Sequence, residues 1–209
     1  MSEPYFPGKI WERREPADVG IDPVRLKEAI AYATDLAHVG SPNDLGSHLV
    51  EQNTKRYDDG VLHGPTQFRG PTTGVVIRNG YLVAEWGDPS RVDMTFSVSK
   101  SFLSTCAGLA WDRGILPDLD EPVGKSVQDG GYDSEHNAQI TWDHSLRQIS
   151  EWDGTLWDKH HSAANPNDEM LDPVTPGTRY EYNDTRVNRL ALSLLRMWKR
   201  PLPDVLREE

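Results

Sequence analysis

The chain is short of cysteine, of positive charge and of long apolar runs. Cys106 is the only cysteine in 209 residues, so no intramolecular disulfide is possible. It falls on the apolar face of a helical stretch and reads as a small core residue rather than a reactive thiol. Lysine and arginine number 22 against 33 aspartates and glutamates, a net charge of −11. That balance argues against nucleic acid and anionic membrane as partners, because both require clustered cations. No apolar run approaches the roughly 20 residues of a membrane span. Met1 to Arg14 lacks an apolar signal core, so a cytoplasmic protein is expected. What is present suits a soluble globular protein, with 26% charged and 36% hydrophobic residues. The length allows one good-sized domain or two small ones.

In chain order, residues 1–20 read as an extended lead-in punctuated by Pro4, Pro7, Gly8 and Pro16. Asp22-Pro23 then opens a helix with Leu26, Ala29, Ile30, Ala33 and Leu36 as its buried stripe. Residues 40–73 are polar and read as a long connection. The clearest strand signal is Val75–Arg78 and Tyr81–Trp86 around Asn79-Gly80, the preferred two-residue hairpin turn. A helix follows, with apolar positions at Val98, Phe102, Leu103, Cys106, Leu109 and Ala110 and a stop at Gly114. A proline-punctuated segment from Ile115 to Val123 and a Gly130-Gly131 loop lead to a second helix, with Thr141 as cap and Leu146 and Ile149 inward. Residues 150–178 read as irregular. The last helix is expected from about Thr185, with Val187, Leu190, Ala191, Leu194, Leu195 and Trp198 in its stripe and Pro201 and Pro203 ending it.

His160-His161 lies near Asp158 and Asp168, a composition that invites a metal assignment. Adjacent histidines point in different directions and no i, i+4 partner is present, so neither metal nor organic cofactor is expected.

The stretch Phe96-Ser97-Val98-Ser99-Lys100-Ser101-Phe102 holds the only S-x-x-K match in the chain. Residues three apart share a helical face, so Lys100 can reach the Ser97 hydroxyl. A helix N-terminus favours negative charge developing there. A hydroxyl becomes a useful nucleophile once a neighbouring base takes its proton. The plainer reading is a helix-capping serine followed by a solvated lysine, and the pattern alone does not separate the two.

With these segments laid out, the chain resembles the class C β-lactamases, DD-peptidases and their family VIII esterase relatives. The resemblance runs from Ile21 to the C-terminus. It rests on the Val75–Trp86 hairpin, on Phe96–Phe102, and on Asp112-Arg113-Gly114 to Leu119-Asp120-Glu121-Pro122-Val123. It continues through Ile140-Thr141 to Ser150 and Pro176-Gly177-Thr178-Arg179-Tyr180-Glu181-Tyr182-Asn183-Asp184. It implies an α/β fold of the α+β type, an antiparallel sheet flanked by helices plus a mostly helical lobe. Residues 1–95 would begin the sheet lobe, with the 74–86 hairpin, and residues 96–209 would form the helical lobe. Ser97 would be the acyl-accepting nucleophile, Lys100 its hydrogen-bonded partner and Tyr182 the general base or proton shuttle. A phenol titrates near pH 10, so a cation such as Lys100 must hold it to act as phenolate. Tyr182 read blandly is a buried aromatic ahead of a helix.

Three departures stand out. Asp184 occupies the place of the Y-x-N asparagine, where it would keep Lys100 protonated; it also suits an N-cap. Glu151 replaces a usual glycine. No K-T-G or H-x-G follows Tyr182, since the last glycine is Gly177. These residues are therefore expected to be part of a larger domain, completed by a second polypeptide that supplies the C-terminal strands. The activity implied is hydrolysis of a small ester or amide through acyl-Ser97. An esterase is placed first, with a β-lactamase or a linear-amide hydrolase as alternatives. A non-catalytic half-domain that binds a partner chain is the rival from another class. Trp152 and Trp157 are candidates for an apolar acyl pocket beside Asp184, with core packing as the plainer role of each tryptophan.

Overall fold

Asn79 and Gly80 both take positive φ, +53° and +84°, the geometry a tight hairpin needs. They join β1, Gly74–Arg78, to β2, Tyr81–Trp86, in an antiparallel pair whose register slips between Val76 and Ile77. The computed structural model describes residues 5–36, 44–57, 67–116, 118–161 and 173–209. Among these the architecture is mixed α+β, with seven α-helices and two small antiparallel sheets. The chain divides into two compact units, Met1–Met94 and Thr95–Glu209.

In the first unit the lead-in is more ordered than its prolines predict. Arg13 pairs alongside Leu82: Leu82 N–H donates to Glu12 O at 3.0 Å and Arg14 N–H to Leu82 O at 3.1 Å. A 3-10 turn follows at Pro16–Val19. Helix α1, Pro23–Leu36, opens as expected, with the Asp22 carboxylate accepting from Val24 and Arg25 N–H. Its predicted stripe is not buried: Leu26 and Ile30 are half-covered, while Ala29, Ala33 and Leu36 are exposed. Helix α2, Leu45–Tyr57, corrects the expected connection 40–73. Asp44 caps it through Ser47 N–H at 3.1 Å, and Leu45 is its one buried apolar residue whose side chain is described. Residues 40–43 and 58–66 of that connection lie outside the described residues.

The second unit is built on a 3-10 turn, Phe96–Val98, running into α3, Ser99–Asp112. Leu103, Cys106, Ala107 and Ala110 are buried, whereas Phe102 is exposed and Leu109 half-buried. Gly114 turns the chain at φ +66°. Leu116 and Val123, the start of α4 (Val123–Ser126), bring the next segment into the core; its Pro117 lies outside the described residues. Thr141 caps α5, Trp142–Leu146, in a reciprocal box with His144. The stretch 150–178 is not wholly irregular. It holds a small hairpin, β3 (Thr155–Leu156) and β4 (Lys159–His160), whose turn residues Trp157 and Asp158 take φ of +50° and +61°.

Helix α6 spans Asp184–Trp198 and buries Leu190 and Leu194 against Trp142, Ile140, Val123 and Ala110 in one cluster. Leu195, expected in the stripe, faces outward. Pro201 and Pro203 do not end the helical structure. Lys199 closes α6 at φ +55°, and Pro201 starts α7, Leu202–Glu208, where Pro203 suits the first turn.

A buried carboxylate ties this unit together. Glu151 has no exposed surface and sits at φ +51°. It accepts from Arg179 Nε at 3.0 Å, from Arg186 at 3.3 Å and from Val174 N–H at 3.4 Å. Arg186 also reaches Trp152 O at 3.2 Å and the Glu181 carboxylate. Gly177 N–H donates to Ile149 O at 2.8 Å and Glu181 N–H to Gln148 O at 3.1 Å. Gly177 is required there: its φ is +93° and a Cβ would lie 2.7 Å from His144 Nε2. Residues 174–181 are thus laced onto 148–152. Burial pushes the Glu151 carboxyl up, but Arg179 and Arg186 outweigh it and hold the group below its ordinary 4.5.

Removing the Glu151 carboxylate takes a shared buried partner from Arg179 and Arg186, with Arg186 keeping Glu181, and breaking such a buried pair costs about 3–5 kcal/mol at neutral pH. The depressed folded value means that this contribution is present above the ordinary carboxylate range and disappears as pH falls through the folded value. Glu151→Ala should therefore melt well below wild type at pH 7, and the gap should narrow toward pH 2–3 in parallel thermal melts. Equal melting temperatures at pH 7 would show that the network is ornamental.

Candidate functional site

Phe96 stands at φ +49°, a left-handed backbone that a bulky residue adopts only when its surroundings force it. The next residue is Ser97. It lies within the 3-10 turn that feeds α3, so it is not the helix cap, and Ser99 Oγ satisfies Phe96 O at 2.7 Å. Lys100, one turn on, places Nζ 3.2 Å from Ser97 Oγ, the distance the i, i+3 spacing implies.

The other half of the cluster comes from the chain entering α6. Tyr182 Oη donates to Ser97 Oγ at 2.6 Å, and Lys100 Nζ stands 4.8 Å from the Tyr182 ring centre. Lys100 Nζ donates to Asp184 Oδ1 at 2.7 Å. Asp184 is the first residue of α6 and does not cap it. Asn183 does, its Oδ1 accepting from Arg186 N–H at 3.1 Å while its amide donates to His161 O at 2.9 Å. The cap choice frees the Asp184 carboxylate for Lys100. Tyr182 itself is 47% exposed, against the bland expectation of a buried aromatic.

The charges are legible. Partial burial alone would lower the Lys100 amine, but its bonds to Asp184 and Tyr182 prevail and hold it above its ordinary 10.5. Lys100 is therefore an ammonium at neutral pH. Its hydrogen bond to the phenol, helped by that of Ser97, holds Tyr182 below its ordinary 10.0. The Asp184 side chain is 64% exposed, so the pair is worth only about 0–1 kcal/mol of stability. Its effect lies in the proton balance.

Ser97, Lys100, Tyr182 and Asp184 thus meet, whereas the two tryptophans do not join them. Trp152 is buried in the core with its indole N–H donating to Gly131 O at 2.7 Å. Trp157 is exposed on the β3–β4 turn, at a positive φ, and among the described residues neither lines a pocket with Ser97 nor packs in the core. The apolar space that reaches Lys100 lies elsewhere, a cleft of about 350 Å³ between α3, α6 and α7 lined by Phe102, Leu103, Cys106, Val187 and Leu206. Cys106 is buried in this wall and burial pushes its thiol up, in keeping with a packing role.

Arg179, Glu181 and Arg186 were not singled out by sequence pattern, although two arginines one turn apart on the apolar α6, Arg186 and Arg189, were a readable sign of buried ion pairs. The two histidines do not diverge as their adjacency implies. His160 and His161 have ring centres 4.1 Å apart, and Asp153, not Asp158, joins them, with one donor atom of each of the three within 4.8 Å of the others. His161 is buried, not a surface loop residue, and burial with the neighbouring His160 holds it below the usual histidine range. Asp168 lies outside the described residues. Among those residues no helix is long and apolar enough to cross a membrane.

Compared with known proteins, the chain matches no family model and no curated protein sequence.

Proposed function

We propose that this chain carries the nucleophilic half of a serine hydrolase of the β-lactamase/DD-peptidase-like fold, acting on carboxylic esters through an acyl-Ser97 intermediate. One observation carries the reading: a phenol of lowered pKa 2.6 Å from a serine hydroxyl, with an ammonium 3.2 Å from the same oxygen. As phenolate, Tyr182 takes the Ser97 proton while Oγ attacks the carbonyl carbon. The Ser97 N–H, in the 3-10 turn that feeds α3, is the candidate donor to the developing oxyanion. Tyr182 then returns the proton to the leaving group, and water repeats the sequence to release the acid. Lys100 stays charged and holds the phenolate. Its raised pKa makes it the weaker candidate for base. The cleft beside Lys100 suits an apolar acyl group. Amides and β-lactams share these steps, and the ester is placed first because an alkoxide is the better leaving group.

A second reading has its own support. Phe96, Val98 and Phe102 are all exposed around Ser97, an apolar surface that suits a partner chain. In this reading the unit binds a second polypeptide and does no chemistry.

A fluorophosphonate probe separates the two. Labelling of Ser97 and no other serine, read by peptide mapping, is the expected result. A folded protein that takes no label, or takes it elsewhere, excludes the nucleophile.

Tyr182→Phe should lower the labelling rate by roughly 10²–10⁴ without changing the fold, as loss of acid–base help does. Tyr180→Phe should be mild, because Tyr180 is 63% exposed. The reverse ranking would reassign the base.

Asp184→Asn removes a group that raises the pKa of Lys100 and, through its charge, that of Tyr182. The rising limb of the labelling rate against pH should therefore move to lower pH in this variant. A limb that moves up or stays put excludes Asp184 as the controlling charge.

A further inference from the structure

We propose that Asp153, His160 and His161 form a binding site for a divalent transition-metal ion of the zinc type. The site is independent of the hydrolase reading, and its test does not use activity.

The hairpin makes the cluster. Thr155 pairs with His160 and Leu156 with Lys159 across a turn whose two residues hold positive φ. His161 N–H donates to Gly154 O at 3.0 Å, which closes the base of the hairpin. Asp153 and the two histidines are thereby opposed at one end. Asp153 is fixed from behind, its N–H donating to Asn137 Oδ1 at 3.0 Å and its carbonyl accepting from Asn137 Nδ2 at 2.7 Å. Its carboxylate is left to face the rings. One oxygen, Oδ1, lies 3.3 Å from His161 Nδ1 and 3.8 Å from His160 Nε2.

The hydrogen-bond pattern leaves a place for a cation. Gly154 N–H donates to His161 Nδ1 at 3.3 Å, so Nδ1 carries a lone pair and the ring proton is on Nε2. A carboxylate oxygen 3.3 Å from that lone pair meets it acceptor to acceptor. A cation between them turns the repulsion into two bonds, and the long Gly154 contact is the one it must displace. The positive charge nearby does not forbid this, since Arg186 is paired with Glu151 and Glu181.

The donor set selects the ion. Two imidazoles and a carboxylate suit zinc and its d-block neighbours, whereas magnesium and calcium want oxygen. Bonds of about 2.0–2.2 Å in a tetrahedron bring donors to roughly 3.3–3.6 Å of one another. Asp153 and His161 already stand at 3.3 Å. His160, with 44% of its side chain exposed, is the one that has to close in. The fourth position is left to water or another ligand.

Binding here bears on the Ser97 cluster through one bond. His161 O accepts from Asn183, the cap of α6 and the residue between Tyr182 and Asp184. An ion that fixes the hairpin fixes the acceptor that orients that cap.

The experiment is calorimetric titration of the full chain, free of any histidine tag, with Zn²⁺ in chelator-free buffer. It is paired with His160→Ala and Asp153→Asn, both at half-exposed side chains. The expected result is one site, at least 10-fold weaker in each variant, since even outer-shell partners are worth 10–100-fold. Zn²⁺ should raise the melting temperature of wild type and not of the double variant, and Mg²⁺ should do neither. Zinc-edge absorption should report two nitrogen ligands at about 2.0–2.1 Å. No heat at millimolar Zn²⁺, affinity unchanged in both variants, or an all-oxygen shell each overturns the proposal.

Discussion

A glutamate with no exposure to water holds the second unit in shape. Glu151 sits where the backbone is left-handed, a conformation that disfavours any side chain, and its charge loses all hydration. Two guanidiniums, one of them on a side chain only 5% exposed, are what offset those costs. The three charges come from three separate stretches, 151, 179 and 186, and Glu181 joins through Arg186. A carboxylate in that place cannot be tolerated unless the 174–181 segment is docked. The ion pairs therefore specify the path of the chain into α6, and that path sets where Tyr182 ends up.

At the Ser97 cluster the deciding quantity is where one proton resides. Four groups within hydrogen-bonding reach share it: Ser97, Lys100, Tyr182 and Asp184. Asp184 stabilises the ammonium, and the ammonium in turn stabilises a phenolate. The carboxylate thus keeps the proton on the amine, while its own charge pushes the neighbouring phenol up. The pair is small in stability terms, because it is half in water, and its effect lies in the proton balance of Lys100 and Tyr182.

The Ser97 cluster was legible from spacing and resemblance because its geometry is local at one end and motif-bound at the other. Three residues on a helix bring Lys100 to Ser97, and the turn from Pro176-Gly177 brings Tyr182. The hairpin at Asn79-Gly80 and the caps at Asp22 and Thr141 were legible for the same local reason. What composition hid was set by long-range partners. Asn183 caps α6 in place of Asp184, whose carboxylate pairs with a lysine 84 residues away. Helix α2 escaped notice because its apolar residues, Leu45, Leu49 and Val50, sit in its first half before a polar run, and Leu45 is its one buried apolar side chain among those described. Helix α7 was hidden by the two prolines that start it. Trp152 takes the plainer of its two expected roles, core packing, with its indole N–H donating to Gly131 O.

The chemistry proposed for Ser97 and the surroundings of Ser97 pull in different directions. Charge that develops on Oγ and on the phenol is best stabilised where water is excluded, because fixed dipoles act more strongly at low dielectric. Val98, however, is 57% exposed and Tyr182 47%. An open phenol beside an ammonium is partly screened, which limits how far its pKa can fall. On the proposed reading, covering this surface and activating the nucleophile become one event. A partner or a substrate that seats against Phe96, Val98 and Phe102 strips water from the Lys100–Tyr182 pair and strengthens the very interaction that makes the phenol a base. A bound partner or substrate would then supply the low dielectric that the proposed chemistry requires.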